Sequence, residues 1–204
     1  ETDQVRVNGR PIVVRRKNHI YIALNKPPGI TCTTDRHVDG NIIDFIKHET
    51  RIFPIGRLDK ESEGLILLTS DGDIVNKILR AEHHNEKEYV VTVDRPITDE
   101  ILASLGRGLR LPELNVTTRR CKTGRISART FRITLVQGLN RQIRRMCELF
   151  GYRVNRLQRI RIINIRIDGL KSGHWRNLKP AELRGLLSFT STPANGSRRT
   201  VAKD

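Results

Sequence analysis

The stretch FPIGRLDKESEGLILLTS, residues 53–70, sets one aspartate, Asp59, between two apolar runs, with Arg57 two residues before it and Lys60 directly after. By composition DKESEG is a solvated turn ahead of a strand, and most such turns do no chemistry. The apolar Ile55 and Leu58 make the segment emerge from the interior, however, and its cationic neighbours suit a carboxylate used as a nucleophile or base. Glu63, four residues on, offers the paired carboxylates of a hydrolase, and nothing else in the chain supports that pair.

A second candidate lies in TLVQGLNRQIRRMC, residues 134–147. On a helix Ile143, Met146, Cys147 and Phe150 form one apolar stripe. Arg144 falls at its edge, whereas Arg141 and Arg145 point away. An arginine at that border is either a snorkelling surface residue or the partner of a half-buried carboxylate. Tyr89, at the start of the alternating run EKEYVVTV, is either core or a platform on which a base stacks.

The elements that must position these residues are mixed. IYIALNKPPGI, RIFPIG, GLILLTS and KEYVVTVD read as strands, with more across 114–136 and a pair in YRVNRLQRIRIINIRI. NIIDFIKHE, DGDIVNKILRA, TDEILASLGRG, NRQIRRMCELFG and KPAELRGLLS read as helices, with Ser70 as the cap of the second. No regular βαβ rhythm and no glycine-rich phosphate loop appear, which predicts an α+β fold with a mixed, largely antiparallel sheet.

Charge is the strongest compositional signal. The 204 residues carry 38 Lys+Arg against 22 Asp+Glu, a net +16. Residues 1–102 hold 15 basic and 17 acidic residues; residues 103–204 hold 23 and 5, and 19 of those 23 are arginine. An arginine-rich half fits a polyanion, since the guanidinium fork matches phosphate oxygens. The three cysteines, Cys32, Cys121 and Cys147, are widely spaced, and no histidine pair has metal-ligand spacing. No apolar run reaches the roughly 20 residues that span a bilayer, and no signal peptide is visible. A cytoplasmic, monomeric protein with no metal, cofactor or membrane partner is expected.

Four motifs then share one resemblance. GRLDKESEGLILLTSDGD, ALNKPPG, EKEYVVTV and LVQGLNRQIRRMC resemble, in order and separation, the signature segments of the pseudouridine synthases, most closely the RsuA/RluB/RluE/RluF branch. The resemblance implies the fold of that catalytic domain over residues 13–190 in two lobes, a central sheet with flanking helices and a central cleft. It also implies the stub of an N-terminal S4 RNA-binding domain over 1–12, for which VRVNG stands as a last strand, and residues 191–204 have the composition of a flexible basic tail. The implied chemistry is isomerisation of uridine in ribosomal RNA, 23S in particular, with a structured stem-loop of another RNA as a further partner. Asp59 would be the nucleophile, Arg144 its ion-pair partner and Tyr89 the stacking residue. Arg57 would help evert the nucleotide, and Lys26 would shape the turn beneath the site. Arg141, Gln142, Ile143 and Leu65 would line the substrate. The rival reading is a catalytically silent RNA-binding or ribosome-assembly module built on the same basic half.

Overall fold

The computed structural model describes residues 6–7, 10–11, 19–80 and 85–191. In chain order the elements are β1 (Arg6–Val7), β2 (Arg10–Pro11), β3 (Tyr21–Lys26), α1 (Ile42–Ile46), β4 (Phe53–Ile55), β5 (Glu63–Thr69), α2 (Gly72–Arg80) and β6 (Lys87–Val93). There follow α3 (Asp99–Arg107), β7 (Arg110–Leu111), a 3-10 turn at Pro112–Leu114, β8 (Val116–Thr117), β9 (Lys122–Ser127) and β10 (Thr130–Leu135). The chain closes with α4 (Gln142–Glu148), β11 (Val154–Ile162), β12 (Ile165–Arg166), β13 (Trp175–Asn177) and α5 (Pro180–Ser191). The expected S4-type stub and basic tail lie outside the described residues, apart from the β1–β2 hairpin and the last residue of α5.

Among the described residues nine strands form one sheet in the order β13-β3-β5-β11-β6-β10-β9, with β12 added to β11 and β4 to β5. Every pairing is antiparallel except β5 with β11. This is the mixed, largely antiparallel α+β arrangement that the pattern predicts. β3 and β5 read as unbroken apolar runs because both of their faces are covered.

Strand alternation divides the core. Ile22, Leu24, Ile66, Leu68, Tyr89, Val91, Phe131 and Ile133 face one side, where they meet Ile143, Met146 and Cys147 of α4. Tyr21, Ala23, Leu65 and Leu67 face the other, against Ile74 and Ile78 of α2 and Leu186 of α5.

The sheet splits at β5. β3 occupies one whole edge of β5, from Gly64 to Thr69. β4 and β11 therefore share the other edge: β4 pairs with Leu67–Thr69 and β11 with Glu63 and Gly64 alone. Gly64 makes that short contact possible. Its φ is +106°, and a Cβ there would lie 2.3 Å from the Arg159 carbonyl oxygen. Beyond it the two half-sheets diverge, and the segment joining β4 to β5, which carries Asp59, lies at the wedge.

One local expectation is corrected. The Ser70 hydroxyl does not cap α2; it accepts from the Ile20 amide at 2.9 Å. Asp71 caps instead, accepting from the amides of Asp73 and Ile74 at 3.2 and 3.4 Å. With the Ile20 segment crossing beside Ser70, the neighbouring carboxylate is the group left for the helix end.

Candidate active site

Asp59 sits half-buried in the turn between β4 and β5, where the Ser62 amide donates to its carbonyl at 3.0 Å. Three buried cations hold this turn. Lys26, fully buried at the end of β3, donates to the carbonyls of Pro27 and Ile30 at 2.9 Å and of Lys60 at 3.3 Å. The Gly29 amide reaches the same Lys60 carbonyl at 2.7 Å, with Gly29 at φ +88° in the Pro-Pro-Gly turn. Burial pushes the Lys26 ammonium down from its ordinary value, and Arg159 pushes the same way, against the opposing attraction of Cys32, Asp59 and Glu63.

Arg159, on β11, is the second cation. Its Nε donates to the Leu65 carbonyl at 2.6 Å and its Nη1 to the Arg57 carbonyl at 3.2 Å. The guanidinium thus replaces ladder bonds that β11 can no longer make once it leaves β5, and it pins the chain two residues before Asp59. Arg144, on α4, is the third. Its Nη1 donates to the Val154 carbonyl at 3.0 Å and its Nη2 to the Ser62 hydroxyl at 3.4 Å.

These three contacts share a property: each cation gives its hydrogen bonds to carbonyl or hydroxyl oxygens. Among the described residues Arg144 Nε and Arg159 Nη2 stay without a hydrogen-bond partner, and the Glu61 carboxylate stands 3.7 Å from Arg144 Nε. Burial pushes the Cys32 thiol up, against the Leu58 backbone and the cations Lys26, Arg159 and Arg57, which pull it down.

Tyr89 belongs to the other half-sheet. It is directly opposite Arg159 on β11 and Ile133 on β10, on the face that also carries Lys26 and α4. The split sheet therefore sets Asp59 and Tyr89 on two frameworks hinged at Gly64 and Arg159.

The remaining sequence candidates divide. Arg57 is exposed, and its backbone carbonyl accepts from Arg159. Ile143 packs in the same cluster as Tyr89 and Leu58, whereas Leu65 faces the opposite side of the sheet and packs against α2 and α5. Leu65 and Ile143 therefore do not form one wall, because adjacent residues of β5 alternate and it is Gly64 and Ile66 that share the Tyr89 face. The Gln142 carboxamide is used within its own loop, accepting from the Leu139 amide at 3.1 Å. Arg141 reaches back to Glu61 at 3.0 Å.

Arg144 makes no ion pair with Asp59. Its carboxylate neighbour is Glu61, with Nε 3.7 Å from Oε2, and it reaches the Asp59 turn through Ser62. The physical reason is that its two terminal nitrogens are already directed to Val154 and Ser62. Glu63 is bound by Arg156 at 2.6 Å, which removes it as a second carboxylate beside Asp59. Among the described residues no cluster of three or more His, Cys, Asp or Glu can hold a metal, and no helix is long and apolar enough to cross a membrane.

Sequence reasoning missed Ser62, Glu61 and Arg159 as parts of this site. For Arg159 a signal existed: with Leu157 it marks the inward positions of β11, where an arginine is out of place unless it has a buried task.

The model of the RNA pseudouridylate synthase family matches residues 20–149, a span that contains Asp59, Tyr89 and Arg144. The chain belongs to that family. It is 56% identical over 188 residues to the dual-specificity RNA pseudouridine synthase RluF of Salmonella typhi, covering 92% of this chain and 64% of that relative. It is 35% identical over 200 residues to the ribosomal large subunit pseudouridine synthase B of Bacillus subtilis, covering 95% and 81%. A crystal structure of a pseudouridylate synthase superposes with a TM-score of 0.75 at 29% identity, covering 82% of this chain and 74% of that one. The chain thus spans a little under two thirds of the RluF relative.

Proposed function

We propose that this chain is the catalytic part, residues 13–190, of a cytoplasmic, monomeric RNA pseudouridine synthase that converts uridine to pseudouridine in ribosomal RNA. The large-subunit naming of the Bacillus subtilis relative supports 23S rRNA as substrate, and the dual-specificity naming of the Salmonella typhi relative supports a structured stem-loop of a second RNA. The reaction breaks the C1′–N1 bond, turns the detached uracil and joins C1′ to C5. The proton on C5 is lost and N1 gains one, so no oxidant, metal or nucleotide is consumed.

The observation that carries the reading is the Asp59 turn, tied to Lys26, Arg159 and Arg144, with Tyr89 beside Arg159 on the neighbouring strand β6. Asp59 acts as the nucleophile or assists departure of the base. Arg144 steers the Asp59 turn through Ser62 and adds positive charge there. Tyr89 stacks on the everted uracil and with Ile143 keeps it from water and from escape. The exposed Arg57 enters the gap left by the flipped nucleotide, whose eversion costs a few kcal/mol. Lys26 is the anchor of the turn, and Arg141 meets the RNA backbone.

The test is tritium release from [5-³H]uridine in bacterial ribosomal RNA. Wild type releases tritium, and Asp59→Asn releases none while RNA affinity survives. Equal release by both proteins removes Asp59 from the reaction. Binding without release by wild type favours the silent RNA-binding module.

A further inference from the structure

Glu61 is two residues after Asp59 on the same turn, yet its carboxylate turns to α4. One oxygen, Oε2, lies 3.0 Å from Nη1 of Arg141 and 3.7 Å from Nε of Arg144. The two arginines differ in depth: Arg144 is 7% exposed, while Arg141 is partly open to solvent. The contact at 3.7 Å is too long for a hydrogen bond, and the buried Arg144 Nε has no partner of its own. Glu61 therefore serves two guanidiniums with a single oxygen and satisfies only one.

We propose that Glu61 is an internal stand-in for an RNA phosphate, occupying Arg141 and shielding Arg144 until the substrate backbone displaces it. This inference rests on the RNA-modifying reading given above. A phosphodiester has two free oxygens and a geometry that the guanidinium fork grips, which a carboxylate reached through one oxygen does not exploit. The exchange is inexpensive because the Glu61 side chain is 62% exposed, so it moves into water without desolvation cost. Its place on the turn gives the exchange a consequence. Loss of the Glu61 contact frees the Asp59 turn from α4 on one side, while Ser62 still ties that turn to Arg144. Phosphate capture at Arg141 and the setting of Asp59 are then linked through one short segment.

The experiment measures fluorescence anisotropy of a labelled RNA hairpin over a salt series, with wild type, Glu61→Gln, Arg141→Gln and the double variant. Glu61→Gln is expected to bind about 3-fold tighter at low salt, the worth of an exposed ion pair expressed as an equilibrium constant. Its log K against log salt should steepen by roughly one phosphate contact. In the Arg141→Gln background the same substitution should change neither quantity. Unchanged or weaker binding by Glu61→Gln overturns the proposal, and so does an equal gain in both backgrounds, which marks a general charge effect. Failure of wild type to bind the hairpin at all overturns the RNA reading itself, and this inference falls with it.

Discussion

Strands β6 and β11 carry a charge cluster on each of their faces, and the two clusters are built by opposite rules. On one face Arg159 lies beside Tyr89 and gives its hydrogen bonds to backbone carbonyls. On the other, Glu88 gathers Arg161, Arg132 and Arg166 at 2.7, 3.1 and 3.9 Å, and Glu86 binds Arg161 and Lys122 at 2.9 and 3.2 Å. In the second cluster each cation is paired with a carboxylate, which stitches strands together. In the first, Arg159 has no carboxylate partner among the described residues and is tied to the chain just before Asp59. Neighbouring residues of the same strands thus separate structural electrostatics from functional electrostatics, and what divides them is the ligand of each cation: a carboxylate on one face, a carbonyl on the other.

The strongest way to break this comparison is Arg159→Met. It removes charge-assisted hydrogen bonds to Leu65 and Arg57 at the point where the half-sheets part. Each such bond is worth about 1.5–3 kcal/mol, so a loss of about 4 kcal/mol is expected in urea unfolding. Tritium release per folded molecule should fall as well, since the turn before Asp59 loses its anchor. Gly64→Ala should approach this cost by another route, because its Cβ meets the Arg159 backbone and its φ is positive. Full activity of a folded Arg159→Met protein means that the Arg159 anchor does nothing for Asp59.

Glu88→Gln probes the opposite face and should cost less, about 2 kcal/mol. The glutamine still accepts hydrogen bonds, but Arg161, Arg132 and Arg166 lose their common counter-charge. Tritium release per folded molecule should stay at the wild-type level. A fall in that rate with stability intact means that the two faces are coupled and the division above is wrong.

The sequence makes the large elements legible because local rules decide them: alternation in KEYVVTV and the apolar stripe of α4. The Asp59 turn is legible by its motif. The source of its rigidity is not, since Lys26 to Lys60 and Arg159 to Arg57 are contacts across 34 and 102 residues that no window of sequence contains. Leu65 shows the same limit in reverse. Its neighbours in the motif point to the site, but period-two alternation turns its side chain to the far side of the sheet. The partner of Arg144 is hidden for a third reason: three acidic residues follow one another at 59, 61 and 63, and only the turn geometry decides which one faces the helix.

The smallest expected effect sharpens the carboxylate-based face through pH. The Arg161 hydrogen bond, with help from Lys122, holds the Glu86 carboxyl below its usual range despite the opposing effect of burial. A carboxyl lowered in the folded state binds fewer protons there than in the unfolded chain. It therefore adds stability above the unfolded value of about 4.3, and that stability is lost as pH falls through the lower folded value. The side chain of Glu86 is 34% exposed and solvent screens it, so the contribution stays below about 1 kcal/mol. Urea midpoints taken from pH 6 downward should show Glu86→Gln less stable than wild type near neutrality, with the two curves converging in acid. Since Glu86 binds Arg161 and Lys122 on the carboxylate-based face, tritium release should keep its wild-type pH profile in this variant. A displaced profile would show that the field of the carboxylate-based face crosses the sheet and reaches Asp59.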